Sequence, residues 1–403
     1  MADDDAALTL DVLRALLDRG HLATPGSLPQ VVSRAAASVG WAARVYVVDL
    51  EQRVLVPAPV PDEPDLDVLA IDGTLAGRAF QRLEPVRTHG TSTGLWLPIV
   101  DGVDRLGALS VTVPDGTNLS DPAVEERYRL LSHLTGHLMA AKSSYGDGLH
   151  RLARRRPRSV ASELLWDLLP PRTFGCEGLV ISGILEPCYD VAADAFDYGV
   201  VDRVAHLAIL DATGHDLRGT VVAAVALAAL RNTRRDGRSL YDAAQAVDDV
   251  VREQGQRELF ATGFLGELDL GTGRLRYLNA GHPAPLLLRR GKVVKQLDEG
   301  RRILFGLGTG EAALAEEWLE PDDLVVLYTD GVTEARDPEG GFFGLERLTG
   351  ILERSAAAGL TAPETLRRAT QAVLEHQNGT LQDDATLLVA HWASGEEAQL
   401  SAS

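Results

Sequence analysis

Apolar positions in the first third of the chain follow a helical period in some segments and a strand pattern in others. Residues 9–18 and 27–39 have the helical spacing, and a further helix is predicted near residues 123–141. The strand-like runs are residues 43–50, 94–100 and 106–113. Helices combined with a hairpin and a further strand in this order predict a complete α+β unit.

Strand-like and helical runs are interleaved from residue 174 onward. Residues 217–232 are apolar on most faces, which is typical of a buried helix. Residues 262–279 have the pattern of a hairpin. Thr361 and Glu364 have the spacing of a capping box, which predicts a helix that ends near Gly379. A second folded region is therefore expected.

Between these regions, residues 146–172 have the composition of a helical linker. The arginine-rich run 150–158 is either a patch for an acidic partner or a solvated helix face, and the second interpretation is favoured. An apolar stripe follows, made of Leu164, Leu165, Leu168 and Leu169. It predicts either self-association, as a homodimer through the linker, or an intramolecular contact.

The net charge of the chain limits the kinds of partner that it can bind. The chain has 403 residues, with 39 basic and 58 acidic side chains and a formal net charge of −19. Such a surface repels polyanions, so we expect no nucleic-acid partner, whereas it favours bound divalent cations. The length predicts two domains.

Features of a secreted or membrane protein are not found in the sequence. The acidic start of the chain lacks the basic and apolar regions of a secretory signal. The longest apolar stretch, residues 221–230, is too short to cross a bilayer, which needs about 20 residues. Cys176 and Cys188 have no metal-ligand spacing, and we expect both to be reduced. We therefore expect a cytoplasmic protein without a membrane partner.

Acidic residues occur at the ends of several predicted strands, beside turn-forming residues. They are Asp194, Asp211, Asp330 and the pair Asp383 and Asp384. Oxygen donors without Cys or His suit Mg²⁺ or Mn²⁺ rather than Zn²⁺. If these strand ends converge, their mutual repulsion requires neutralising cations. Two such ions could share a water that attacks a phosphorus atom, which predicts metal-assisted chemistry on phosphate.

The N-terminal region resembles a GAF domain, a ligand-sensing module. The opening helix, residues 46–49, residues 73–80 and the hairpin that begins at Trp96 carry this resemblance. It implies that a small ligand or a protein partner, neither of them identified by the sequence, binds this region.

The C-terminal region carries six motifs in a recognisable order. They are residues 186–197, 211–215, 279–283, 327–335, 343–344 and 383–386. Together they resemble the metal-dependent phosphatases of the protein phosphatase 2C superfamily, and among them the bacterial branch typified by stage II sporulation protein E. The resemblance implies an αββα sandwich, in which helices flank two antiparallel sheets, with metals at one end.

Together the two resemblances give an α+β chain divided into segments. The segments are a sensor domain at 1–145, a helical linker at 146–172, a phosphatase domain at 173–393 and a disordered tail at 394–403. Regulation of the phosphatase domain by the sensor would then pass through the linker.

The resemblance also implies roles at a centre with two Mn²⁺ or Mg²⁺ ions. Asp211 would bridge both metals, and the carbonyl of Ala212 would bind one of them. Asp330 and Asp383 would bind the other.

Two more aspartates complete the predicted centre. Asp194 would hold a metal-bound water, so that the expected catalytic residues are Asp194, Asp211, Asp330 and Asp383. Asp384 is the alternative ligand to its neighbour, because successive residues of an extended chain point in opposite directions.

Two histidines lie within the motifs. His215 is either a general acid that protonates the leaving oxygen or a structural residue at a helix start. For His282, a structural hydrogen bond in a turn is the favoured interpretation.

The expected activity is hydrolysis of a phosphoserine on a regulatory protein, an anti-sigma-factor antagonist by family resemblance. Two departures from the family pattern support an alternative. Ala192 and Ala193 replace two glycines, and Asp216 follows His215 where the family has glycine. The alternative is a catalytically weak or inactive phosphatase-fold protein that acts by binding a partner.

Overall fold

A computed structural model describes the backbone of most of the chain. The described ranges are 2–88, 93–186, 189, 193–214, 217–255, 259–308 and 313–401. The chain divides into two compact units, one made of Met1–Arg156 with the C-terminal residues from Ala398, the other of Pro157–Glu397. The described helices include none that is both long and apolar enough to cross a bilayer.

The first unit contains one six-stranded sheet with helices on both faces. Its elements are α1 (Ala2–His21), α2 (Leu28–Ala37), β1 (Ala42–Val48), β2 (Val54–Pro57), β3 (Leu69–Ala70), α3 (Leu75–Arg82), β4 (Val86–Arg87), β5 (Gly94–Asp101), β6 (Asp104–Thr112), α4 (Pro122–Ser143) and α5 (Gly148–Ala153). The strand order is β3-β2-β1-β6-β5-β4, and all pairs are antiparallel. The predicted helices and the hairpin are present with boundaries shifted by a few residues.

Helix α3 packs very closely against the chain that precedes it. A Cβ atom at Gly77 would lie 1.6 Å from the carbonyl oxygen of Ile71, so only glycine allows this approach. Phe80, from the same helix, is fully buried and forms an apolar cluster with Tyr46 and Leu55. Helices α1, α2 and α4 contribute to a separate and larger apolar cluster that also contains Leu97.

The second unit is a sandwich of two sheets. Its elements are α6 (Val160–Leu168), β7 (Thr173–Cys176), β8 (Leu179–Glu186), β9 (Asp194–Val201), β10 (Val204–Ala212), α7 (Leu217–Arg235), α8 (Leu240–Gly255), β11 (Ala261–Asp269), β12 (Arg274–Ala280), β13 (Leu286–Arg289), β14 (Lys292–Gln296), β15 (Arg301–Arg302), β16 (Ala315–Trp318), β17 (Leu324–Tyr328), α9 (Asp330–Thr333), α10 (Leu345–Ala357), α11 (Ala362–His376) and β18 (Ala385–Trp392); α12 (Glu396–Ser401) follows. One sheet has the order β15-β12-β11-β10-β9, with β16 paired to β12, and the other has the order β14-β13-β17-β18-β8-β7.

The predicted αββα architecture is confirmed. Pairing is antiparallel throughout both sheets except between β12 and β15. Helices α7 and α8 contact the first sheet, and α11 contacts β8 and β18 of the second. Side chains from both sheets, among them Phe196, Phe264 and Leu388, share one buried core. This packing brings one end of each sheet together, which is where the predicted aspartates lie.

The apolar stripe of the linker is largely an intramolecular contact. Leu165 is fully buried in the core of the second unit, and Leu168 and Leu169 pack against that core. Leu164 remains 38% exposed. Most of the stripe therefore belongs to the fold of a single chain.

The capping box predicted at the start of α11 does not form. The hydroxyl of Thr361 makes no hydrogen bond to any described residue. The Glu364 carboxylate accepts instead from Arg367 at 2.9 Å and from Arg368 at 3.0 Å. The N–H of Ala362 donates to Glu396 at 2.6 Å. A distant carboxylate has thus replaced the local cap.

That carboxylate also makes contacts at the start of the segment for which a disordered tail is predicted, residues 394–403. Glu396 begins the short helix α12 and contacts both the Ala362 N–H and the His391 ring, the latter at 2.5 Å. Glu397 accepts from the N–H of Gly178 at 2.9 Å. These long-range bonds hold Glu396 and Glu397 against residues that are distant in the sequence.

Candidate metal centre

The candidate carboxylates lie at one end of the sandwich, and each sheet contributes some of them. Asp194 begins β9 and faces Asp211 across the antiparallel pair of β9 and β10. Asp330 begins α9 and is separated from β17 by Thr329 alone. Asp383 and Asp384 directly precede β18, the neighbour of β17. The strand ends that carry Asp194 and Asp211 are thus neighbours in one sheet, and those beside Asp330 and Asp383 are neighbours in the other.

Asp194 links the two sheets through its side chain. It starts a strand of the first sheet, and its Oδ2 atom accepts hydrogen bonds from the hydroxyls of Thr329 and Thr386, each at 2.7 Å. Thr386 lies in β18 of the second sheet, and Thr329 is the residue that follows β17 of the same sheet. Sequence reasoning gave them no role, although both lie within the motifs that contain Asp330 and Asp384.

Burial and neighbouring charge act on Asp194 in the same direction. Its side chain is buried, and burial, followed by the charges of Asp211 and Asp384, raises its pKa well above the ordinary value of 3.8. The hydrogen bonds from Thr329 and Thr386 oppose this rise in pKa, because they favour the ionised carboxylate.

Asp384 is turned into the protein. Its Oδ2 accepts from the backbone N–H of Ala193 at 2.8 Å and of Asp194 at 3.2 Å. Asp384 is only 5% exposed, whereas its neighbour Asp383 is exposed. The two members of the pair therefore point in different directions, and Asp383 is the more accessible.

Three carboxylates remain open towards solvent and influence one another. Asp330 and Asp383 are exposed and Asp211 is half-buried. Burial, and then the charges of Asp330 and Asp383, raise the pKa of Asp211 to about 7. Burial and the charge of Asp383 also raise the pKa of Asp330. Such mutual repulsion is what a bound cation would relieve.

The glycine after Asp330 is required by a close backbone contact. A Cβ atom at Gly331 would lie 1.8 Å from the carbonyl oxygen of Asp384. Residues Asp330–Thr333 form the short helix α9, so this Asp-Gly pair is not a simple turn. Glycine at this position lets the segments that carry Asp330 and Asp383 approach each other.

Ala212 lies at the end of β10 and is anchored by its neighbours. Its N–H donates to the carbonyl of Ala193 at 3.3 Å. The next residue, Thr213, donates to the carbonyl of Phe260 through its N–H at 2.9 Å and its hydroxyl at 3.0 Å. These contacts fix the segment that contains the Ala212 carbonyl, whose role as a metal ligand stays a prediction.

The donor chemistry fits a hard divalent cation, since the candidate ligands are carboxylate and carbonyl oxygens. Within the described ranges, no three or more His, Cys, Asp and Glu side chains lie in an arrangement that could hold a metal ion as they stand. The ligand roles of Asp194, Asp211, Asp330, Asp383 and Asp384 therefore stay predictions that rest on their placement and mutual repulsion.

His282 has the hydrogen-bonded structural setting that was favoured for it. The Nδ1 atom of its ring lies 2.8 Å from the hydroxyl of Thr262, and its backbone N–H donates to the side-chain oxygen of Asn279 at 2.8 Å. The Asn279 amide donates back to the His282 carbonyl at 3.0 Å. Burial lowers the pKa of His282 to about 3, so the ring is neutral near pH 7.

Several sequence-based interpretations concern residues outside the described ranges. They are the departures at Ala192 and Asp216, the role of His215 and the state of Cys188. Cys176 is a free thiol, as expected.

Comparison with known proteins agrees with this geometry. The family profile of stage II sporulation protein E (SpoIIE) matches residues 202–393. Protein IcfG of Synechocystis is 30% identical over 145 residues, which cover 36% of this chain and 22% of IcfG. Phosphoserine phosphatase RsbU of Bacillus subtilis is 23% identical over 232 residues, which cover 57% of this chain and 68% of RsbU. The match to IcfG thus spans less than a quarter of that relative.

A solved structure supports the fold. The SiaA-PP2C domain of Pseudomonas aeruginosa aligns with a TM-score of 0.50 and 24% sequence identity, over 63% of this chain and 99% of that domain. At this identity the likeness concerns the fold alone. The sandwich, the position of the acidic residues and the family profile agree with one another. Residues 202–393 therefore match the SpoIIE profile, and the second unit has the protein phosphatase 2C fold.

Proposed function

We propose that this protein is a metal-dependent serine/threonine protein phosphatase that uses two Mn²⁺ or Mg²⁺ ions. The observation that carries the proposal is the placement of Asp211 opposite Asp194 at one end of the sandwich, where burial and the charges of Asp330 and Asp383 raise the Asp211 pKa to about 7. Carboxylates that repel one another at the end of a SpoIIE-type domain are suited to bind cations that a phosphate can then approach.

The residues divide into distinct tasks. Asp211, Asp330 and Asp383, with the Ala212 carbonyl, would hold the ions. When bound, the ions lower the pKa of water, neutralise phosphoryl oxygens and orient the reacting groups. Asp194 would hold the attacking water in place through its carboxylate. His282 is neutral and buried, so it supports the fold of the site rather than transferring a proton.

The proposed substrate is a phosphoserine on a regulatory protein that acts as an anti-sigma-factor antagonist. Its support is the similarity to RsbU, which is named a phosphoserine phosphatase. The open position of Asp330 and Asp383 suits a macromolecular substrate, because a phosphorylated side chain can reach them from solvent.

Regulation is proposed to come from a GAF-like N-terminal unit that binds a small ligand or a protein and acts through residues 146–172. The protein would act in the cytoplasm.

A homodimer through the linker is proposed from two apolar side chains one turn apart on α6, because Val160 is 75% and Leu164 38% exposed. Sedimentation of the full chain and of Leu164→Glu tests the dimer. A monomer for the unaltered chain would contradict it.

The activity is tested with a panel of substrates and the full chain in Mn²⁺. A phosphoserine peptide, a phosphotyrosine peptide and a cyclic nucleotide separate a protein phosphatase from a phosphodiesterase. We expect turnover of the phosphoserine peptide and none of the cyclic nucleotide. A correctly folded protein with no turnover in Mn²⁺ or Mg²⁺ would instead support the alternative, a regulatory protein that acts by partner binding.

A further inference from the structure

Two threonine hydroxyls converge on a single oxygen of Asp194. The hydroxyls of Thr329 and Thr386 each lie 2.7 Å from its Oδ2 atom. Both threonines have no measurable exposure, and Asp194 is 3% exposed. Three polar groups have thus been placed together in the interior, where a misplaced polar group is costly.

The direction of these hydrogen bonds is determined by the surrounding backbone. The Thr329 hydroxyl oxygen accepts from the N–H of Thr386 at 3.0 Å, so its own hydrogen is free to point to Asp194. The N–H of Thr329 in turn donates to the carbonyl of Thr386 at 3.1 Å. Because threonine is restricted at its first side-chain torsion, the backbone contacts also hold the hydroxyls in place.

The two oxygens of Asp194 are therefore not equivalent. Oδ2 accepts two O–H donors, whereas Oδ1 accepts no hydrogen bond from the residues that the structure describes. Fixing one oxygen from the second sheet sets the plane of the carboxylate and leaves the other oxygen for a different partner. Asp211 lies directly opposite on the neighbouring strand.

We infer that Thr329 and Thr386 are positioning residues, which hold the Asp194 carboxylate in the orientation that the metal centre requires. The inference rests on the proposed function, because Asp194 is a candidate residue of that centre. Outer partners of this kind orient the groups around a metal, and their loss commonly lowers metal affinity about 10-fold to 100-fold. Thr329 and Thr386 would do so across the two sheets.

Thr386→Val gives the sharper test, since the Thr329 hydroxyl has the second task of accepting the Thr386 N–H. Valine keeps the shape of threonine and removes only the donor. Thr386→Ser restores a hydroxyl. Thr370→Val is the matched control, because the Thr370 hydroxyl is buried in α11 and has no hydrogen-bond partner among the described residues.

Mn²⁺ affinity of the full chain, measured by the electron paramagnetic resonance of free Mn²⁺, is the readout, with thermal unfolding in EDTA to verify folding. We expect about 10-fold weaker binding for Thr386→Val, and binding within about threefold of the unaltered chain for Thr386→Ser and Thr370→Val. Equal affinity of the folded Thr386→Val and unaltered chains would overturn the inference and leave the proposed function standing. So would a serine variant as weak as the valine variant. Absence of Mn²⁺ binding by the unaltered chain would overturn the proposed function itself, and with it this inference.

Discussion

The Oδ2 atom of Asp384 accepts a hydrogen bond from the backbone N–H of Asp194, 3.2 Å away. The same atom accepts from the N–H of Ala193 at 2.8 Å, so Asp384 joins the start of β18 to the start of β9. Its neighbour Asp383 is exposed and acts on the pKa of both Asp211 and Asp330. One carboxylate of the pair thus holds the sheets together, and the other is open to a ligand.

This division predicts unequal effects of two alanine substitutions on stability. Asp384→Ala leaves two backbone N–H groups without their acceptor, and we expect the free energy of unfolding to fall by about 1–3 kcal/mol. Asp383→Ala removes an exposed carboxylate whose hydrogen bond from the adjacent N–H of Asp384 water can replace, and it should change the free energy of unfolding by no more than about 0.5 kcal/mol. Urea unfolding of the full chain in EDTA measures both. Equal losses for the two variants would contradict the assignment.

Gly331 is predicted to tolerate no side chain. Alanine there would place a Cβ atom 1.8 Å from the carbonyl of Asp384, so the segments that carry Asp330 and Asp384 must move apart. We expect Gly331→Ala to lower the free energy of unfolding by about 1–3 kcal/mol and to weaken Mn²⁺ binding. Gly26→Ala is the control, because no heavy atom lies within 4 Å of its Cβ position. Unfolding and Mn²⁺ titration that match the unaltered chain would show that the close contact is unimportant.

Local patterns predicted the architecture well where an element depends mainly on its own residues. The helix expected at residues 217–232 is α7, Leu217–Arg235, and the hairpin expected at residues 262–279 is β11 and β12. The failures occur where a distant group intervenes. Glu396 supplies the acceptor for the N–H of Ala362, which neither the capping-box pattern nor the polar tail could indicate.

The metal-free protein is predicted to lose stability as the pH rises from 5 to 8, through Asp211. The folded-state pKa is about 7, above the ordinary 3.8, so the folded protein keeps a proton that the unfolded chain has released. The stability from this proton is complete below pH 3.8 and is lost as pH rises through about 7.

Urea unfolding in EDTA at several pH values measures this effect against Asp211→Asn, which cannot ionise. The unfolding free energy of the unaltered chain, measured relative to that of Asp211→Asn, should fall as the pH rises. Saturating Mn²⁺ should suppress the shift, because a cation favours the ionised carboxylate. Parallel pH profiles in EDTA would rule out the predicted rise in the Asp211 pKa.

His282 is predicted not to titrate between pH 5 and pH 8. Burial lowers its pKa to about 3, and its Nδ1 lies 2.8 Å from the Thr262 hydroxyl. Nuclear magnetic resonance of the ring carbons and nitrogens, assigned with His282→Gln, should show constant shifts across this range. A His282 midpoint near 6.5 would reopen a role in proton transfer.

The candidate site could be predicted from sequence only in part. The sequence singled out the aspartates because each lies at a strand end beside turn residues. It could not decide between Asp383 and Asp384, since their directions depend on backbone N–H groups at Ala193 and Asp194, far away along the chain. Nor could it assign the hydroxyls of Thr329 and Thr386, which acquire a partner only when the two sheets pack together.

Hydrolysis of a phosphoserine peptide as a function of Mn²⁺ concentration, by the unaltered chain and by Asp330→Asn, tests the central claim most directly. Asp330 is exposed, so its amide should leave the fold intact and remove one predicted ligand. We predict saturable, Mn²⁺-dependent turnover for the unaltered chain and a loss of at least about 100-fold for Asp330→Asn, since a lost ligand should cost at least as much as a lost outer partner. Turnover that does not depend on Mn²⁺ or Mg²⁺, or that Asp330→Asn retains in full, would contradict the account.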